Sequence, residues 1–114
     1  MPLDDSALRH EVRVLVDDIV AGKFQELRDD GRIGRLTPDE LSEAIHSYGR
    51  TLVGLPNEVW DLVDEYPADD GSGEVGLDVP MWTAEEGRSD LTLSLTALRS
   101  DGGYSVQIDD LHVL

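Results

Sequence analysis

The sequence predicts an α+β domain in which two N-terminal helices pack on one face of a four-stranded antiparallel meander. Apolar residues recur at three- and four-residue steps up to Gly49 and then, from about residue 58 onward, at alternate positions. Helical and strand-like segments are also segregated along the chain rather than interleaved, which favours α+β over a parallel, doubly wound sheet. A chain of 114 residues has room for one domain, spanning 1–114, and such a domain buries roughly 65% of the surface its unfolded form exposes.

The first helix is expected over about 5–29. Leu8, Val12, Leu15, Val16, Ile19 and Val20 form its apolar stripe, and Asp4, Asp5 and Ser6 are candidate N-caps. Gly22 interrupts the stripe and Phe24 and Leu27 resume it, so the pattern allows either a continuous helix or a second short one. Asp30-Gly31 ends it, and 31–36 reads as a loop. Thr37-Pro38-Asp39-Glu40 then supplies an N-cap, a proline at the first helical position and the glutamate of a capping box. Leu41, Ala44, Ile45 and Tyr48 share one face of this helix over about 38–48, and Gly49 suits a left-handed C-cap.

After Pro56 a strand is expected over about 58–66, with Trp60, Leu62 and Tyr66 on one face and Val59 and Val63 on the other, a pattern that fits either a strand covered on both sides or a partly helical segment; Trp60 and Tyr66 read as core. The polar turn from Ala68 to Gly73 leads to a strand over about 74–83. There Val75, Leu77, Val79 and Met81 face one way and Asp78 and Trp82 the other. Pro80 has no N–H to give a ladder, which places it at an edge or a bulge. The strand over about 90–99 is the most regular, with Leu91, Leu93 and Leu95 inward and Thr92, Ser94 and Thr96 outward. Ser100-Asp101-Gly102-Gly103 reverses the chain into a strand over about 104–113. In that strand Val106 and Ile108 have one parity and Leu111 and Val113 the other, so a bulge at Asp109-Asp110 is needed to keep all four on the apolar side.

Charge is distributed unevenly over this layout. Residues 51–114 hold fourteen Asp/Glu against Arg88 and Arg99, a net −12 of the chain's −16. Such a surface favours cationic partners and opposes direct nucleic-acid binding through phosphates. There is no cysteine, hence no disulfide or thiolate chemistry, which fits a reducing compartment. The acidic opening and the shortness of every apolar run predict a cytoplasmic chain without a secretory signal or membrane span.

Motifs for chemistry are sparse. On the expected sheet, Asp78, Ser94, Thr96 and Asp109 share the polar face, and two strand spacings set the aspartates roughly 10 Å apart. Paired carboxylates can act as general acid and base when burial separates their pKa values, although an antiparallel sheet shows such residues to water in any case. Asp109-Asp110-Leu111-His112 has ligand residue types, but on one strand they point in opposing directions, so no metal site and no cofactor are expected. His10 and His46 read as helix-surface histidines. Neither a nucleophile elbow nor a phosphate-binding glycine loop occurs. Trp82, next to Glu85-Glu86-Gly87-Arg88, could anchor a basic partner while the acids steer it, or could plug the mouth between helix and sheet.

The segment Asp78-Val79-Pro80-Met81-Trp82-Thr83-Ala84-Glu85-Glu86-Gly87-Arg88-Ser89-Asp90-Leu91-Thr92-Leu93 and the ending Ile108-Asp109-Asp110-Leu111-His112-Val113-Leu114 resemble a family of small acidic bacterial proteins of unknown function. The resemblance marks Asp78, Trp82, Arg88, Asp90, Asp109 and His112 as a polar signature without assigning roles. The order of helices then strands also resembles the cystatin-like and nuclear-transport-factor-2-like cone, which implies an enzyme or ligand binder with a pocket between sheet and helices.

The expected function is noncatalytic binding. Asp78, Trp82, Glu85, Glu86, Arg88, Asp90, Asp109 and His112 would form the contact surface for a basic protein, in the manner of an immunity protein that neutralises a cationic toxin, which the charge also resembles. A small cone-shaped enzyme using Asp78 and Asp109 is the alternative, and a nucleic-acid mimic with carboxylates in rows is another. Open strand edges allow a homodimer, whereas the acidity opposes self-association at low salt.

Overall fold

The structure, a computed structural model, describes residues 5–68, 70–100 and 103–113. Helices occupy the N-terminal part: α1 is Ser6–Val20, α2 Phe24–Asp29 and α3 Pro38–Tyr48. The Asp5 carboxylate caps α1 by accepting from the Ala7 and Leu8 N–H groups at 3.0 and 3.3 Å; Asp4, the other acidic cap candidate, lies outside the described residues. Of the two forms the pattern allows over 5–29, the structure has the second, a break at Gly22 followed by a short helix. Gly22 adopts φ +76°, a left-handed conformation that ends α1, and Lys23 N–H returns to the Asp18 carbonyl at 2.9 Å before α2 begins. The capping box of α3 is present in both directions, with Glu40 N–H to Thr37 Oγ1 at 3.1 Å and Thr37 N–H to Glu40 Oε1 at 3.0 Å. Gly49, at φ +74°, closes that helix.

The strands are β1 Leu52–Val53, β2 Asp64–Pro67, β3 Glu74–Thr83, β4 Gly87–Ser100 and β5 Gly103–Val113. All pairings between strands are antiparallel, and β2-β3-β4-β5 form the expected meander. The short β1 is additional and pairs with the far end of β3 through Leu52–Thr83 and Val53–Trp82. The strand expected over 58–66 is corrected. Asn57–Asp61 is a 3-10 helix and only Asp64–Pro67 is extended. Pro56 starts the turn, and the Trp60 indole is buried beneath α1 with the Arg13 guanidinium 5.3 Å from its ring centroid. Arg13 also donates to the Leu55 carbonyl at 2.6 Å, which fastens this segment to the helix.

Between the β2 partner Asp78 and the β1 partner Trp82, β3 has no outer neighbour among the described residues, and Pro80 sits in that gap. The register of β3 and β4 also shifts there: Met81 alone spans the distance that Ser89, Asp90 and Leu91 span on β4. On β5, Ser94 pairs with Asp110 and Leu95 with Ile108, so Asp109 is the extra residue of a bulge. That bulge is the one the apolar parity requires, and it leaves Ile108 and Leu111 both buried. The reversal at Asp101-Gly102 lies outside the described residues, as does Asp69 of the preceding turn.

Leu77, Val79, Leu91, Leu93, Leu95, Ala97, Val106, Ile108 and Leu111 form the inner face, and Leu8, Val12, Leu15, Val16, Ile19, Leu27 and Leu41 pack on it from the helices. None of these side chains is more than 6% exposed. The β5 edge is partly covered where the loop after α2 makes a parallel bridge, Ile108 N–H to the Arg32 carbonyl at 2.7 Å and Gly34 N–H to the Ile108 carbonyl at 2.8 Å. A Cβ on Gly34 would meet Gln107 and the Ile108 carbonyl at 3.0–3.1 Å, so a larger residue here would push the loop or β5 back by a few tenths of an ångström.

Candidate binding surface

The outer face of the sheet collects the polar side chains that alternate with the buried leucines. Asp64 on β2 lies directly across from Asp78 on β3, and Asp78 lies across from Ser94 on β4. Ser94 donates its hydroxyl to Asp78 at 2.9 Å, and Thr96 donates to Asp109 at 2.5 Å. Each aspartate of the expected pair is therefore tied to the central strand. Both belong to the face opposite the helices, and the interface between sheet and helices is filled with apolar side chains. Asp78 and Asp109 are thus set apart from the packed core between sheet and helices.

A cleft of about 400 Å³ opens on this outer face, and Asp64, Tyr66, Asp78, Arg88, Asp90 and Thr92 are among its walls. It unites three residues expected in the contact surface, Asp78, Arg88 and Asp90, with three that sequence reasoning did not select. Tyr66, read as core when the segment is taken as one long strand, is 52% exposed. The reason is the 3-10 turn, which resets the parity so that Tyr66 lies opposite Gly76 on the outer side. Partial burial, then the negative charges of Asp64 and Asp78, raise the Tyr66 hydroxyl above its ordinary pKa. A signal for Asp64 was available: a carboxylate two residues before an exposed tyrosine on an edge strand, facing Asp78 once the β2–β3 turn is placed.

The loop acids behave differently. Glu85 accepts from the Thr51 N–H and from its hydroxyl, both at 2.8 Å, and these bonds lower its pKa. Glu86 accepts from the Tyr48 hydroxyl at 2.8 Å, and its own N–H is held by Thr83 Oγ1 at 3.0 Å. The same Tyr48 oxygen accepts from the Asp90 N–H at 3.3 Å. The Glu85-Glu86 turn thus anchors the β3–β4 hairpin to the end of α3 and the start of β1. Trp82 is half-buried and packs against the core, and its Nε1 would lie 3.8 Å from a Cβ on Gly87. Asp109 and His112 belong to a separate strip on β5. His112 lies opposite Thr92, with Nδ1 3.2 Å from Asp110 Oδ2.

Sequence reasoning also missed Ser89, which is buried at the β3–β4 register shift. Its hydroxyl donates to the Met81 carbonyl at 2.8 Å and accepts from the Leu91 N–H at 3.2 Å, replacing ladder bonds that the shift interrupts. Among the described residues, no group of three or more His, Cys, Asp and Glu side chains is arranged to hold a metal ion, and no helix is long and apolar enough to cross a membrane.

No curated protein and no solved structure shows significant similarity to the chain. A family model described as a domain of unknown function (DUF7668) matches residues 16–114, from the middle of α1 through β5, well beyond the C-terminal segments that carry the polar signature. The chain therefore belongs to the DUF7668 family, and its outer-face residues are those of a member of that family.

Proposed function

We propose that this protein is a noncatalytic binding module whose acidic outer sheet face receives a basic protein, as an immunity-type inhibitor would. The observation that carries the reading is the cross-strand pair Asp64–Asp78 beside the exposed Tyr66 ring, with Asp90 on the wall of the same cleft. Carboxylates set side by side repel one another, and a Lys or Arg from a partner relieves that repulsion. The tyrosine adds an aromatic face for the same cation. The packed inner face supports binding at the surface over chemistry in an enclosed pocket. A cysteine-free composition supports a cytoplasmic setting.

The experiment is affinity capture from native lysate at about 0.15 M ionic strength with the wild-type chain and the Asp64→Lys/Asp78→Lys variant. The wild type should retain one or a few basic proteins that the variant, still folded by circular dichroism, loses. Retention of no basic protein, or equal retention by the variant, would count against this reading.

A further inference from the structure

We infer that the open edge of β5, roofed by α3, accepts an extended segment of the basic partner as an added strand. This rests on the reading above that the partner is basic, and it adds to the outer face a second place of contact and its mode. On one side β5 is paired along its length with β4. On its other side, among the described residues, its neighbour is the bridge at Ile108, and the loop then leaves through Arg35 and Leu36 toward α3. Leu111, His112 and Val113 therefore present a strand edge without a neighbouring strand among the described residues. The Leu111 N–H is held by the Asp110 carboxylate at 2.9 Å, a charged guard of the kind that keeps open edges from pairing indiscriminately.

Beside this edge the sheet and helix do not close. Two adjoining clefts of about 380 and 550 Å³ lie between α3 and β5 and share Ala44 and Leu111. Leu36, Tyr48, Leu91 and Val113 complete their apolar lining, and Val113 is 56% exposed. An added strand points alternate side chains to one face, so its apolar residues would enter these clefts while the main chain pairs with β5. The intervening residues would face the rim. That rim carries Asp39, Glu40 and Glu43 from α3, and among the described residues no Lys or Arg lines either cleft. The fit is to a segment in which apolar residues alternate with Lys or Arg. A second copy of this chain would bring the same three acids against themselves, which the charge disfavours.

The test uses a synthetic peptide of about eight residues alternating Val with Lys and Arg, and the same peptide N-methylated at the amides that would face β5. Backbone NMR of the full chain should show shifts of the Leu111, His112 and Val113 amides on adding the first peptide. N-methylation should weaken binding by about tenfold or more, as should Ala44→Arg, which fills the cleft, and Val113→Pro, which removes an edge N–H from an exposed position. Asp64→Lys/Asp78→Lys should change this affinity by no more than about threefold, since the outer face is not in contact. Equal binding of both peptides, or binding untouched by both edge variants, overturns the inference. If binding is instead lost in Asp64→Lys/Asp78→Lys, the outer-face reading survives and the edge does not. Failure of the peptide to bind at all overturns the inference and leaves the outer-face reading to its own capture experiment. Concentration-dependent dimerisation that protects the Val113 amide without peptide overturns it in favour of a second copy.

Discussion

Ser89 shows how much one small side chain can hold in a sheet whose register shifts. Its hydroxyl stands in for main-chain bonds of Met81 and Leu91, both fully buried, and water cannot reach those groups if the hydroxyl is removed. Ser89→Ala is expected to destabilise the protein by about 1–3 kcal/mol, the penalty for stranding a buried donor and acceptor. Ser94→Ala removes a hydroxyl bonded to the half-buried Asp78 on the outer face, where water can substitute, and should lose less than about 1 kcal/mol. Urea unfolding of the two variants gives the comparison, and a Ser89 effect no larger than that of Ser94 would contradict the bridging role. Thr37→Ala breaks the capping box of α3 and should lower stability by about 1 kcal/mol.

The strand β5 depends on a single extra residue. Asp109 is the bulge that lets Ile108 and Leu111 enter the same core although they have opposite parity. Deleting Asp109 would force a choice between the two halves of the strand, because a one-residue slip sends every side chain on one side of it to the other face. The deletion is therefore expected to unfold the protein or leave it with the loosened side-chain packing seen by near-UV dichroism. Asp109→Asn, which keeps the residue count and the capacity to accept from Thr96, should remain folded with nearly wild-type stability. Equal tolerance of deletion and substitution would refute the register argument. The same accounting explains the expected strand over 58–66: its apolar residues could be satisfied by a 3-10 turn that buries Val59 and Trp60 and frees Tyr66, and periodicity over nine residues does not separate the two.

A net charge of −16 on 114 residues sets the response of the whole molecule to its medium. Self-repulsion opposes the compact state, and salt screens it within a Debye length of about 8 Å at physiological ionic strength. The melting temperature is thus expected to rise with added NaCl, by differential scanning fluorimetry, and a fall would mean that exposed ion pairs outweigh repulsion. Acid acts in two directions. Protonating unpaired carboxylates relieves repulsion, whereas Asp5 and Glu85 have folded pKa values lowered by their hydrogen bonds, to Tyr104 first for Asp5 and to Thr51 for Glu85. A lowered folded pKa contributes stability that is complete above the unfolded values of 3.8 and 4.5 and disappears as pH falls through the folded values. Glu85→Gln should therefore flatten the loss of stability below about pH 4.5 relative to wild type; an unchanged acid limb would show that the Thr51 contact does not depend on charge.

Much of this architecture is local and hence legible in the order of the amino acids. The capping box of α3, the alternation in β4 and the parity conflict in β5 each follow from the identity and spacing of neighbouring residues, and the core side of the sheet follows from them. The strong net negative charge is likewise fixed by composition without help from the fold. What tertiary structure decided was which polar residues meet. Glu85 and Glu86 read as free surface acids until the end of α3 and the start of β1 are brought against their loop, and Asp64 and Tyr66 join Asp78 only through pairing across β2 and β3. Those contacts join residues up to 38 positions apart, and periodicity carries no information about partners at that distance. The sequence determines which faces are apolar because burial acts on each element separately; the cleft and the open edge exist only once the elements share space.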